Sequence, residues 1–363
     1  MTLATILPLP KIDLKKTTFE ALPGYHEDTL KGADQAWERS CTYWLSLPPA
    51  QTCLFQTDTS LWQHLAKVYL QKKEDFRAYL LRYFDPYEIC PLSPCERLFT
   101  GYYEPELPAS RVKTSVYSYP IYRRPKELIV VEDLGIFRES LSGHRIAGFI
   151  KDQSLMPAFT RREIQEGVLE DQNLEICWTL DPVDLYFMHI QGGGKVIFED
   201  TSWSRLSYDG TNGHAYHSLG KEMIKRGLVS AKEGSMQSMK AILRESSSIL
   251  RKELLSFNPS YVFFKEIGSQ EGPIGRIGKP LTRLRSLAVD PRAIDLGMPV
   301  WLGTSRISGF MTAQDVGGAI KGFIRGDIFC GTGEEAGDLA GHLKEDGQLF
   351  ILLPKKEFRP SSL

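Results

Sequence analysis

Residues Gln314–Gly337 read QDVGGAIKGFIRGDIFCGTGEEAG. Two acids, Asp315 and Asp327, each adjoin a short apolar run and each have glycine beside them. Runs of this kind, bounded by glycine and proline, read as strands, and the neighbouring segments repeat the texture: YVFF from Tyr261, PVWLG from Pro299, SGFMTAQDV from Ser308 and QLFILLP from Gln348. Only the stretch around Glu334 to Lys344 looks helical. Many short strands must bury their edges, so the last hundred residues predict a small closed barrel.

Working outward, a third acid, Asp290, lies in RSLAVDPRAIDLG, 25 residues before Asp315, and Asp327 follows Asp315 by 12. Glycine around a carboxylate lets a ligand approach closely. An acid set beside Ile328 and Phe329 is open to desolvation, which raises a carboxyl pKa. A carboxylic acid with a raised pKa is what protonation of a glycosidic oxygen requires. Aspartates also cap turns in glycine-rich loops, and spacing alone does not separate the two roles.

From Phe99 to about residue 205 the texture is again strand-like: SVYSYPIYRRP, ELIVVEDL, RIAGFI and LYFMHIQGGGKVIF. A capping box at Thr160 and Glu163 opens a short helix. Helices are expected from Asn212 to Gly227 and from Ser235 to Asn258. The first hundred residues are helical too. Trp37, Cys41 and Trp44 share one stripe, and a second helix runs from Ser60, its expected N-cap, to the Tyr83–Pro86 stop. The class is therefore α+β, mainly β with helices.

Three further segments can hold a ligand. In FTGYYEPEL, one of Tyr102 and Tyr103 can offer a sugar platform while the other packs inward, and Glu104 and Glu106 are further acids. In HIQGGGKV, Gln191 stands beside three glycines that match no phosphate-loop pattern and also suit a bulge or turn. In NGHAYH, Asn212 and Gly213 sit where a helix N-terminus would offer amides to polar groups. His214 and His217 lack the acid or cysteine that would complete a metal site.

Composition narrows the classes. The chain has 363 residues, 42% hydrophobic and 25% charged, with 44 Lys and Arg against 45 Asp and Glu, for a net charge of −1. That balance argues against a duplex nucleic-acid binder or a polybasic membrane-surface protein. No run reaches the roughly 18 apolar residues of a membrane span. The opening MTLATILPLPKIDLKK lacks the shape of a signal peptide and has no lipobox, and the first cysteine is Cys41. The six cysteines form no CxxC pair and read as free thiols, with a Cys90–Cys95 disulfide as the alternative in an oxidising compartment.

Taken in order, FTGYYEP, YPIYRRP, QGGGKV, NGHAYHSLGKEMIKRG, NPSYVFFKE, AVDP and the Gln314–Gly337 segment resemble the membrane-bound lytic murein transglycosylases of the A type, including their three-aspartate (3D) domain. The resemblance implies a double-psi β-barrel from residues 1–105 with 206–363, a β-rich insert at 106–205, and a glycan groove between them. It implies non-hydrolytic cleavage of peptidoglycan, with Asp327 as the single catalytic acid then base and Asp315 and Asp290 in support. Tyr102, Tyr103, Gln191, Gly192, Asn212, His214 and Lys321 are the expected substrate contacts. No metal or other cofactor is implied. The implied partners are peptidoglycan strands, together with wall-synthesis or division proteins, around a monomer at the periplasmic face of the outer membrane. Such a polymer is held by hydrogen bonds and sugar–aromatic contacts, so no charged face is needed. The alternatives are a hydrolase using Asp315 and Asp327 as a pair, and a non-catalytic wall-binding module.

Overall fold

The computed structural model describes residues 9, 11–72, 74–131, 133–230, 235–269 and 271–358. Most of the first ten residues, where the sequence was read for a leader, lie outside the described residues. The chain divides into two compact units. The first takes the described residues of Met1–Tyr103, Glu271–Gly331 and Glu335–Leu363, and the second those of Glu104–Gln270 and Thr332–Glu334. The second unit thus runs well past 205, where the sequence placed its end. The reason is strand pairing: Trp203–Thr211 is antiparallel to Gly193–Phe198 on one side and to Val262–Gly268 on the other.

In the first unit, nine strands among the described residues form one sheet. Its functional centre is the order Ser308–Val316, Ser286–Val289, Arg325–Thr332, Leu98–Glu104. Helix Ala33–Ser46 buries Trp37, Cys41 and Trp44, the stripe expected from sequence. Trp44 stacks on Trp62 with ring centroids 5.2 Å apart, and Trp37 meets Phe84 edge-on at 5.9 Å. Buried indoles need partners for their N–H groups. Trp44 Nε1 finds the Gly297 carbonyl at 3.1 Å, and Trp62 Nε1 finds Thr57 Oγ1 at 3.1 Å. The helix expected from Ser60 is two helices, Thr59–Lys72 and Phe76–Tyr83. Asp58 accepts the Leu61 amide at the start of the first, and Asp75 caps the second, so Ser60 is not the cap.

In the second unit a six-stranded sheet and a three-stranded sheet stand among the described residues. The Thr160–Glu163 capping box is formed as expected. Pro182–Gln191, however, is a helix where the sequence was read as strand. Asp181 caps it, Pro182 occupies its first turn, and Gly192 ends it with φ +77°, a left-handed conformation that glycine adopts without cost. Six of its ten residues are buried, so it has no polar face to reveal helical periodicity. The helix expected over 212–227 is confined to Leu219–Lys225, because Ser218 supplies the cap. The one expected from Ser235 breaks at Ser246 and Ser247, where Ser247 caps a second helix, Ser248–Phe257. Arg161 is 1% exposed and is satisfied by the carbonyls of Asn258 and Ser260 and by His189 Nδ1.

Candidate active site

Strand Ser286–Val289 lies between the strands that carry the two glycine-flanked acids. Ala288 is paired with Asp315 on its parallel neighbour and with Asp327 on its antiparallel neighbour. Residues directly opposite one another share a face of the sheet, so Asp315, Ala288 and Asp327 form one transverse row. At about 4.8 Å per strand step, the two acids are about 9–10 Å apart at their Cα atoms.

Asp327 is half-buried in strand Arg325–Thr332. Burial pushes its pKa up to about 6, and the nearby charge of Asp315 adds to the rise. Two influences oppose it: the Thr100 hydroxyl, which donates to Asp327 Oδ1 at 2.8 Å, and the Arg325 guanidinium. Thr100 therefore favours the charged form. Thr100→Val should move the Asp327 midpoint upward by roughly half to one pH unit, read by carboxyl-carbon NMR. A midpoint that stays put or falls would show that the hydroxyl has no such influence.

Asp315 is differently served. Tyr102 donates its hydroxyl to Asp315 Oδ2 at 2.9 Å, and the Arg276 amide donates to Oδ1 at 3.0 Å. Burial still outweighs these bonds and raises its pKa. The Tyr102 ring lies 5.4 Å from that of Phe329. Asp290 is of a third kind, fully buried but ion-paired to Arg292 at 2.7 Å, with the Gly322 amide on Oδ2 at 2.9 Å. Burial pushes its pKa up, but the Arg292 and Gly322 bonds overcome that and hold it below the ordinary range.

A family model for the MltA specific insert domain matches residues 98–265, and one for the 3D domain matches residues 285–353, which hold all three aspartates. Membrane-bound lytic murein transglycosylase A of Vibrio cholerae serotype O1 is 32% identical over 269 residues, covering 70% of this chain and 65% of that protein. Its Escherichia coli K12 counterpart is 33% identical over 267 residues, with the same coverage. The lytic transglycosylase LtgG of Burkholderia pseudomallei is 32% identical over 96% of this chain and 98% of that one, with a TM-score of 0.62. The chain belongs to the MltA family. A membrane-bound lytic murein transglycosylase structure from Agrobacterium tumefaciens, 29% identical, gives a TM-score of 0.83 over 96% of this chain and 100% of that one. The chain spans 65% of the length of the curated relatives it matches.

The remaining expected contacts of this MltA-family chain divide sharply. Tyr102, Tyr103 and Lys321 belong with the three aspartates in the first unit, and Gln191, Gly192, Asn212 and His214 belong to the second. Lys321 is exposed, and Gln191 and Gly192 end the Pro182–Gln191 helix half-exposed. Tyr103 is 6% exposed with its ring against Gly337, so it is the inward member of the tyrosine pair. Asn212, 1% exposed, starts no helix. Its amide bridges the carbonyls of Phe159 and Pro259 and the amide of Tyr261, which makes it a clamp rather than a ligand contact. One ring nitrogen of His214 lies 2.6 Å from the Ala158 carbonyl. Glu104 is buried against Arg205, and Glu106 pairs with Lys195. Cys330 is a buried free thiol, and among the described residues no group of three His, Cys, Asp or Glu converges to hold a metal ion. No described helix is long and apolar enough to cross a membrane.

Sequence reasoning missed Thr100, Arg276 and Ala288. Thr100 had a signal, since it stands two residues before Tyr102 and so shares its face of the strand. Arg276 acts through its backbone amide, to which its side chain gives no clue.

Proposed function

We propose that this chain is a lytic transglycosylase that cleaves the β-1,4 bond between N-acetylmuramic acid and N-acetylglucosamine in peptidoglycan and leaves a 1,6-anhydromuramoyl end. The observation that carries the reading is Asp327, a half-buried acid in one row with Asp315, whose pKa is pushed up to about 6. Near that pH a single carboxyl can both give and take a proton.

In this mechanism the protonated Asp327 donates to the departing glycosidic oxygen as positive charge develops at the anomeric carbon. The resulting carboxylate accepts the proton of the muramoyl 6-hydroxyl, whose oxygen closes on that carbon. Intramolecular attack takes the place of the second carboxylate that a hydrolase needs to activate water. The state of Asp315 supports one acid rather than two. Each of its oxygens is already engaged by a donor of the protein, the Tyr102 hydroxyl on one and the Arg276 amide on the other, so it is poorly placed to hold the water that a hydrolase would activate.

The proposal carries with it a double-psi barrel around the aspartates and a glycan groove beside Asp327. Tyr102 and Lys321 remain candidate glycan contacts of the first unit, and Gln191, Gly192 and His214 of the second, with Asp290 supporting the first unit's acids through the backbone. It also places the protein at the periplasmic face of the outer membrane, acting as a monomer on the wall with wall-synthesis or division proteins as partners. Incubation with purified sacculi, followed by mass spectrometry of the released muropeptides, tests the chemistry. The expected products end in 1,6-anhydromuramic acid. Reducing muramic ends would make the protein a hydrolase, and intact sacculi would make it a binding module.

A further inference from the structure

The mechanism gives Gln314 no task, yet its side-chain amide makes three hydrogen bonds next to Asp315. The residue is 0% exposed. Its Oε1 accepts from Ser286 Oγ at 2.6 Å, and its Nε2 donates to the Ala36 carbonyl at 2.7 Å and to Ser40 Oγ at 2.9 Å. Ser286 Oγ in turn accepts the Thr282 amide at 2.8 Å.

The pairing register says what these bonds hold. Leu287 stands opposite Ala313, but the next residue, Ala288, stands opposite Asp315. Gln314 is therefore an extra residue, a β-bulge in the strand. Side chains alternate between faces along a strand, so one inserted residue reverses the alternation beyond it. With regular pairing, Gln314 would oppose Ala288 and Asp315 would oppose Val289. Asp315 would then point to the face away from Asp327. The bulge is what brings both acids into one row.

We infer that Gln314 is a positioning residue, whose buried amide ties the bulge to the neighbouring strand and to helix Ala33–Ser46 and so aims Asp315 along the Asp327 row. Only the kinetic arm of its test rests on the transglycosylase reading. Gln314→Met keeps the volume but strands Ser286, Ser40 and the Ala36 carbonyl. Ser286→Ala deletes one hydroxyl, which donates to Gln314 Oε1 and accepts the Thr282 amide, and is the milder variant because the Gln314 bonds to Ala36 and Ser40 remain. Both are made in the full chain and checked for fold by circular dichroism.

The expected result is an Asp327 midpoint, read by carboxyl-carbon NMR, that falls below the wild-type value as Asp315 leaves the row, with the smaller fall in Ser286→Ala. The rate constant for anhydromuropeptide release should drop about tenfold to a hundredfold in Gln314→Met, as misplacement of catalytic groups does. KM should stay within about twofold. Unchanged Asp315 and Asp327 titrations in a folded Gln314→Met protein would overturn the inference. Should that variant lose its fold, Ser286→Ala decides on the same readout. If the wild type releases no anhydro products while the midpoints still move, the proposed function fails and the positioning role stands.

Discussion

Asp327→Asn should fold, bind sacculi and release anhydromuropeptides about 10² to 10⁴ times more slowly than the wild type, the usual share of a general acid–base group. In the wild type the donor form is lost as pH rises through about 6, so kcat/KM for release should fall with unit slope above that pH. The same substitution should also stabilise the protein, and the sign can be worked out. The folded pKa of Asp327 lies above its ordinary value, so its favourable contribution is complete at low pH and disappears as pH rises through about 6. Above that range the ionised carboxylate strains the fold, and an amide does not. A gain of roughly 1–3 kcal/mol is expected for Asp327→Asn at pH 8 and none at pH 4, measured by urea unfolding. Near wild-type turnover in the folded variant would remove Asp327 from the mechanism. A loss of stability at pH 8 would show that the site is not strained by its charge.

The pairing of lost activity with gained stability marks a site where local rules give way to chemistry. Such a site was partly legible from the chain. The strands around Asp315 and Asp327 could be read because alternation and glycine punctuation agree there, and the apolar neighbours Ile328 and Phe329 pointed to desolvation. What could not be read was register. Whether Asp315 faces Asp327 or turns away depends on one bulged residue, and a bulge leaves no periodic trace in a nine-residue strand. The same limit explains the Pro182–Gln191 helix. Its caps, Asp181 and Gly192, were visible, but a helix buried on most sides has no polar stripe, and LYFMHI fits a buried strand equally well. The second unit's extent was missed for a related reason. Among the described residues, strand Val262–Gly268 returns to the sheet after three intervening helices, and no local signal announces which sheet a distant strand rejoins.

Asp290 should show the opposite behaviour to Asp327, although all three aspartates share one matched domain. Its carboxylate is fully buried and holds three things at once: the Arg292 guanidinium, the Arg292 amide and the Gly322 amide. Gly322 lies in the turn that leads from Asp315 to Asp327. Asp290→Ala would leave that amide without its acceptor and would free Arg292, whose half-exposed side chain can return to water. The expected cost is on the order of 2–4 kcal/mol, less than for a pair buried on both sides. Here the linkage sign reverses. The Asp290 pKa is held below its ordinary value, so its stabilisation is present at neutral pH and lost as pH falls through the acid range. The destabilisation by Asp290→Ala should therefore be large in urea at pH 7 and shrink at pH 3. The pH above which activity declines should stay at about 6, because Thr100, Arg325 and Asp315, the neighbours that move the Asp327 pKa, are left in place. A variant that kept its full stability yet lost turnover would instead place Asp290 in the chemistry. With the expected result, the three acids divide their work: Asp290 fixes the backbone, Asp315 helps to raise the pKa of its neighbour, and Asp327 moves the proton.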